Sequence, residues 1–118
     1  MDYTVEFWQY LEALASGSRL EVDRPKGSSH PRFPGQVYPL DYGYLQGTSS
    51  PDGGGIDLWI GSQGPDKITG VLCTVDLLKR DGELKVLFGC TEEDVQCILK
   101  FVNNHSMRAI YIKRHAGG

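Results

Sequence analysis

A chain of 118 residues with net charge -3, 40% hydrophobic and 23% charged residues, has the size and balance of one soluble domain with a single core. There is no basic excess to draw nucleic acid, no apolar run of membrane-spanning length, and no basic-then-apolar leader at the N-terminus. Three cysteines, Cys73, Cys90 and Cys97, make an odd count at unrelated spacings, which argues against a disulfide framework or zinc motif and for reduced, buried thiols in the cytoplasm.

Residues 3–15 read as a helix. Phe7, Trp8, Leu11 and Leu14 fall on one apolar stripe, Glu6, Gln9 and Glu12 lie off it, and Gly17 suits its end. Residues 19–24, RLEVDR, alternate as a strand that Pro25-Lys26-Gly27-Ser28 closes in a turn. Lys26, His30 and Arg32 then form either a solvated basic loop or an anion-binding edge. Tyr42 and Tyr44 around Gly43, and Ile56, Leu58 and Ile60 around Asp57 and Trp59, mark two strands joined by a polar, glycine-rich loop. Asp52 lies in that loop, where a surface hairpin accounts for it equally well. Asp57 shares a strand face with Trp59, and a carboxylate in such a place needs a partner.

Residues 67–80 form the longest strand candidate, with Val71, Cys73 and Val75 on one face and Leu72, Thr74, Asp76 and Leu78 on the other. Asp81 opens an Asp-Gly turn into a strand from Glu83 to Phe88. The turn explains Asp81 without a function; it does not explain a half-buried Asp76. Residues 91–104 are a helix with Thr91 as N-cap, Asp94 completing a near capping box, and Glu92 and Glu93 at the positive end of the dipole. Val95, Ile98, Leu99 and Val102 make its buried stripe. Residues 108–113 alternate as a last strand before the tail RHAGG, and no repeat or linker interrupts the chain.

YPLDYGY, followed by a DGxxxD loop and an apolar strand, resembles the soluble (family I) inorganic pyrophosphatases of the β-barrel type. Their pattern is YPxxYG, then DGDPLD; here Asp52-Gly53-Gly54-Gly55-Ile56-Asp57 stands in that place, with Gly54 for the middle aspartate. DRPKGS is similar to the family's EIPKGS, and the likeness runs over roughly residues 20 to 90. It implies a mainly β fold with flanking helices (α+β): a five-stranded OB-like barrel over 19–90, helix 3–15, helix 91–104 and strand 108–113, in one domain spanning 1–118.

The resemblance also implies a Mg²⁺ site, with Mn²⁺ as a substitute, made by Asp52, Asp57, Asp76 and Asp81. The last two have the family's DxxxxD spacing. Active-site roles fall by the same likeness to Asp23, Arg32, Tyr42 and Lys85. Glu83 stands where the family has its lysine, so Lys85 reaches the site only if a bulge shifts the register. The family's arginine-bearing hairpin is missing, and His105 and Ser106 stand nearest the place of its terminal Tyr-Lys pair.

The activity implied is Mg²⁺-dependent phosphohydrolysis, pyrophosphate and water giving two phosphates, with weakened or altered specificity. Gly54 removes a general base of a kind worth about a hundredfold or more. The alternative is a non-catalytic metal- or phosphate-binding domain; nucleic-acid binding on the barrel face is disfavoured by the acidic loop and net charge. The expected partner is a small phosphate-containing substrate, with no nucleic acid and no membrane, and the resemblance allows a homo-oligomer.

Overall fold

The computed structural model describes residues 2–116; Met1 and the last two residues of the tail lie outside it. Its elements are α1 (Thr4–Ser16), β1 (Arg19–Arg24), β2 (Asp41–Gln46), β3 (Ile56–Ile60), β4 (Ile68–Asp76), β5 (Asp81–Phe88), α2 (Glu92–Val102) and β6 (Met107–Lys113). The strands form one sheet in the order β1-β2-β3-β5-β4-β6. Only β3 and β5 run parallel; every other pairing is antiparallel.

The sheet is open, which corrects the expectation of a five-stranded barrel. The ladder ends at β1 on one side and β6 on the other, and β6 adds a sixth strand beside β4 rather than closing on β1. The β1 edge is broken by a bulge: Val22 pairs with Gly43 and Arg24 with Tyr42, which leaves Asp23 without a register partner. The glycine of the YPLDYGY motif belongs to this approach. A Cβ on Gly43 would lie 1.8 Å from the Glu21 carbonyl oxygen, so only glycine lets β1 and β2 meet here.

Because successive strand residues face opposite ways, the sheet has two cores. Leu45, Leu58, Val71, Val86 and Phe88 point to α1 and enclose its Trp8 and Leu11. Trp59, Leu72 and Leu87 point the other way, against Val95, Ile98 and Val102 of α2. The stripe expected on α1 is narrower than its spacing implied. Trp8 and Leu11 are buried, whereas Phe7 and Leu14 remain 43% and 44% exposed at the margins of the sheet contact.

Helix α2 begins with a complete capping box. Thr91 Oγ1 accepts from the Asp94 amide at 3.1 Å, and the Thr91 amide donates to Asp94 Oδ2 at 2.9 Å. The same Asp94 oxygen accepts from the amide and hydroxyl of Ser62, fixing the helix start to the segment that leaves β3. All three thiols are free, but only Cys90 is buried; Cys73 is half-buried and Cys97 faces out from α2. Burial pushes the Cys90 thiol up to about 12, with the Asp94 carboxylate adding to the shift. Among the described residues no helix is long and apolar enough to cross a membrane.

Candidate functional site

The α2 face of the sheet is not apolar throughout. Directly paired residues share a face, so the register places side chains in rows across the strands. Tyr42 stands beside Trp59 in one row. In the next, Tyr44 pairs with Asp57 on β2 and β3, and Lys85 pairs with Leu72 on β5 and β4. Glu83 and Thr74 make the following row, and Asp81 and Asp76 the last, at the base of the β4–β5 hairpin.

At the centre is a relay of three groups. Lys85 Nζ donates to the Tyr42 hydroxyl at 2.6 Å, and that hydroxyl donates to Asp57 Oδ2 at 2.6 Å. Lys85 also stands 3.4 Å from Asp57 Oδ2 and 4.0 Å from Glu83 Oε2, while only 6% of its surface is exposed. Burial raises the Tyr42 hydroxyl well above its ordinary value, and the neighbouring Asp57 charge raises it further. Lys85 therefore reaches Asp57 and Tyr42 in regular register with Leu72. The bulge expected to be necessary is absent, because Lys85 and Glu83 are two apart and share the face.

Glu83 is the residue that sequence reasoning passed over. Burial raises its carboxyl; Lys85 opposes that shift, and the charges of Asp57, Asp52 and Asp81 reinforce it. Its signal was the alternation Asp81, Glu83, Lys85, which puts all three on one face.

Tyr42, Asp57, Glu83 and Lys85 line a cavity of about 670 Å³. Of the residues expected at the site, Arg32, Tyr42, Asp52, Asp57, Asp76 and Lys85 line it. Asp23 is exposed on the β1 edge and does not, and neither does Asp81. Two loops close the mouth. One is the stretch from His30 to Gln36, held by amide hydrogen bonds from Arg32 and Phe33 to His30 Nδ1 at 3.1 and 3.2 Å. The other is the turn after α2, where His105, at φ 51°, stacks on Phe33 with ring centroids 3.8 Å apart. His105 and Ser106 thus do reach the cavity, and no local pattern could have foretold it, since Phe33 and His105 lie 72 positions apart in the numbering.

The aspartates are differently employed. Asp52 Oδ1 accepts from Ser50 Oγ at 2.6 Å and the Gly54 amide at 3.1 Å, which bends the loop and holds its carboxyl below the ordinary value. Asp76 Oδ1 accepts from Ser106 Oγ at 2.7 Å and from the amides of Leu78 and Lys79 at 3.0 and 3.2 Å. The Ser106 bond is the main reason its carboxyl lies low. Asp57 is held by Tyr42 and Lys85. Among the described residues no three His, Cys, Asp or Glu side chains gather closely enough to hold a metal ion. Mg²⁺ asks for near-octahedral oxygen ligands, and the four aspartates as placed do not fit that demand.

Comparison with known proteins bears on the fold. No protein-family model matches the chain, and no curated protein matches its sequence. Among solved structures the chain is similar to an inorganic pyrophosphatase from Coxiella burnetii, with TM-score 0.53 and 14% identity. That likeness covers 81% of this chain and 82% of the other. At such identity it establishes a related α+β fold and nothing about catalysis.

Proposed function

We propose that the cavity binds a small phosphate-bearing molecule on a pyrophosphatase-like scaffold. The observation that carries this reading is the placement of cations: a nearly buried ammonium, Lys85, on the floor, with Arg32 and Lys79 at the mouth. Among the described residues neither Arg32 nor Lys79 takes part in an ion pair. A phosphate entering between them accepts charge-assisted hydrogen bonds, the strongest class available to a polar side chain. Lys85 has three donors, and only two point at Tyr42 and Asp57, so its ammonium is held in place yet retains a donor. The free thiols support a reducing, cytoplasmic setting.

A second reading, hydrolysis of pyrophosphate or a related phosphoanhydride with Mg²⁺ or Mn²⁺, is favoured by one further observation. Glu83, its carboxyl raised above the ordinary value by burial, stands on the cavity wall beside the Lys85–Tyr42–Asp57 relay. A carboxyl in that place is positioned to pass a proton to or from a bound phosphate. The likeness in fold to a pyrophosphatase adds to this reading, and the dispersed aspartates weaken it.

Calorimetric titration with pyrophosphate, paired with phosphate-release assays with and without Mg²⁺, separates the two. Saturable binding with background release supports the binding domain. Mg²⁺-dependent release that falls in Glu83→Gln and Asp57→Asn supports the hydrolase. An absence of both binding and release removes the phosphate reading altogether.

A further inference from the structure

Pyrophosphate has no apolar surface, yet the cavity has two unlike ends. The charged end is the relay of Lys85, Tyr42 and Asp57. The other is a wall of rings: Trp59, Tyr38 and Phe101 pack together, with centroids 5.6 Å apart for Trp59–Phe101 and 4.8 Å for Tyr38–Phe101. His30 lies parallel to Tyr38 at 6.0 Å and Phe33 lies against His105, so the wall continues to the mouth. Trp59 follows Asp57 by two residues on the same strand and face, a rise of about 7 Å. One small ligand therefore spans both ends.

The Trp59 end of the wall is closed: the ring is 1% exposed and its Nε1–H, without a hydrogen-bond partner, is itself enclosed. The open rings are the half-buried ones nearer the mouth, Phe33, Phe101 and His30. His30 has its Nδ1 committed as an acceptor of two amides, which puts the proton of the neutral ring on Nε2. Burial, helped by the charges of Arg24 and Arg32, lowers its pKa and favours that neutral form.

We propose that the molecule bound here is a nucleotide. Its phosphates meet Lys85, Arg32 and Lys79, and its base lies against the half-buried rings of Phe33, Phe101 and His30. The inference rests on the phosphate reading above and adds the planar group that pyrophosphate lacks. Stacking on aromatic side chains suits any base.

The test compares ligands with and without a base on the intact protein. Calorimetry with AMP, ADP and ATP is set against ribose 5-phosphate and pyrophosphate, and each nucleotide is expected to bind at least about tenfold more tightly than ribose 5-phosphate. Phe33→Ala, at the mouth and outside both cores, is expected to lower the ratio of nucleotide to pyrophosphate affinity by about fivefold or more, and Phe33→Tyr, which keeps the ring, to preserve it. Ribose 5-phosphate binding as tightly as AMP, or an unchanged ratio in Phe33→Ala, overturns the nucleotide assignment and leaves the phosphate reading standing. No binding by any of the five ligands overturns both.

Discussion

The two faces of this sheet are built from the same strands and have different tasks. Toward α1, β3, β4 and β5 present Leu58, Val71 and Val86, all essentially without exposure, and the contacts are aliphatic or aromatic. Toward α2 the alternate residues of the same strands include Asp57, Thr74, Asp76, Glu83 and Lys85. Burying such groups costs stability unless each finds a partner, and most here are paired or nearly so. A fold that needed only stability could have filled both faces like the first. The polar rows on the second face are the reason the proposed ligand site is placed there.

The comparison breaks most sharply on the α1 face. Leu58→Ala empties a fully buried site and is expected to cost about 2–5 kcal/mol, read from urea denaturation. Ligand affinity in the folded variant should match the parent's, because Leu58 points away from the cavity. A large loss of affinity without a loss of stability would mean that the two faces are not independent.

How much of this was legible beforehand follows from the range of each interaction. Strand and helix positions came through to within a few residues, because period-2 and period-3.6 patterns and the Thr91–Asp94 cap are local signals. The closure of the sheet was misjudged, since whether β6 pairs with β4 or completes a ring is a long-range choice that no local pattern encodes. Tyr42, Asp57 and Lys85 were named and are brought together. Asp23 and Asp81 were named and lie outside the cavity, since spacing taken over from a resemblance carries no information on a bulge at an edge or a turn that uses its own acids. The aromatic wall went unread, because it comes from the loop after β1, from β3, and from α2 and its following turn.

On the ligand face affinity is expected to fall together with stability. Lys85→Met keeps the stem and removes the charge, leaving Asp57 and Glu83 without their cation. Pyrophosphate affinity is expected to fall about ten- to a hundredfold, in line with the loss of one or two charge-assisted bonds. A stability loss of about 3–5 kcal/mol should accompany it, because the two carboxylates are left buried without a cation. Calorimetry and a denaturation curve on the same preparation check both. A variant that binds normally would remove Lys85 from the site.

A gain of function sharpens the comparison differently. Gly54 is exposed, its φ does not lie in the left-handed range, and an added Cβ would meet only Asp52 Oδ1, at 3.4 Å. Gly54→Asp should therefore fold like the parent. It places a further carboxylate in the loop beside Asp52, and on the hydrolase reading Mg²⁺-dependent phosphate release is expected to rise by about tenfold or more over the parent rate. Unchanged release in a folded variant would locate the deficit in the dispersed aspartates rather than in a missing base.

The smallest effect concerns the joint between the ligand-face helix and the sheet. Burial alone pushes the Asp94 carboxyl upward, but hydrogen bonds from Thr91 and Ser62 outweigh it and hold it below its ordinary 3.8. A carboxyl depressed in the folded state binds fewer protons there than in the unfolded chain. Its contribution to stability is thus complete above about 3.8 and is lost as the pH falls through the lower, folded value. Asp94→Asn keeps the shape and one acceptor oxygen and is expected to cost about 1 kcal/mol at neutral pH, typical for a helix N-terminal cap. Urea curves for both proteins from neutrality downward should converge as the parent's carboxylate is protonated. A gap that stays constant through that range would mean that the cap acts through geometry alone, and that charge does nothing to fasten α2 across the cavity.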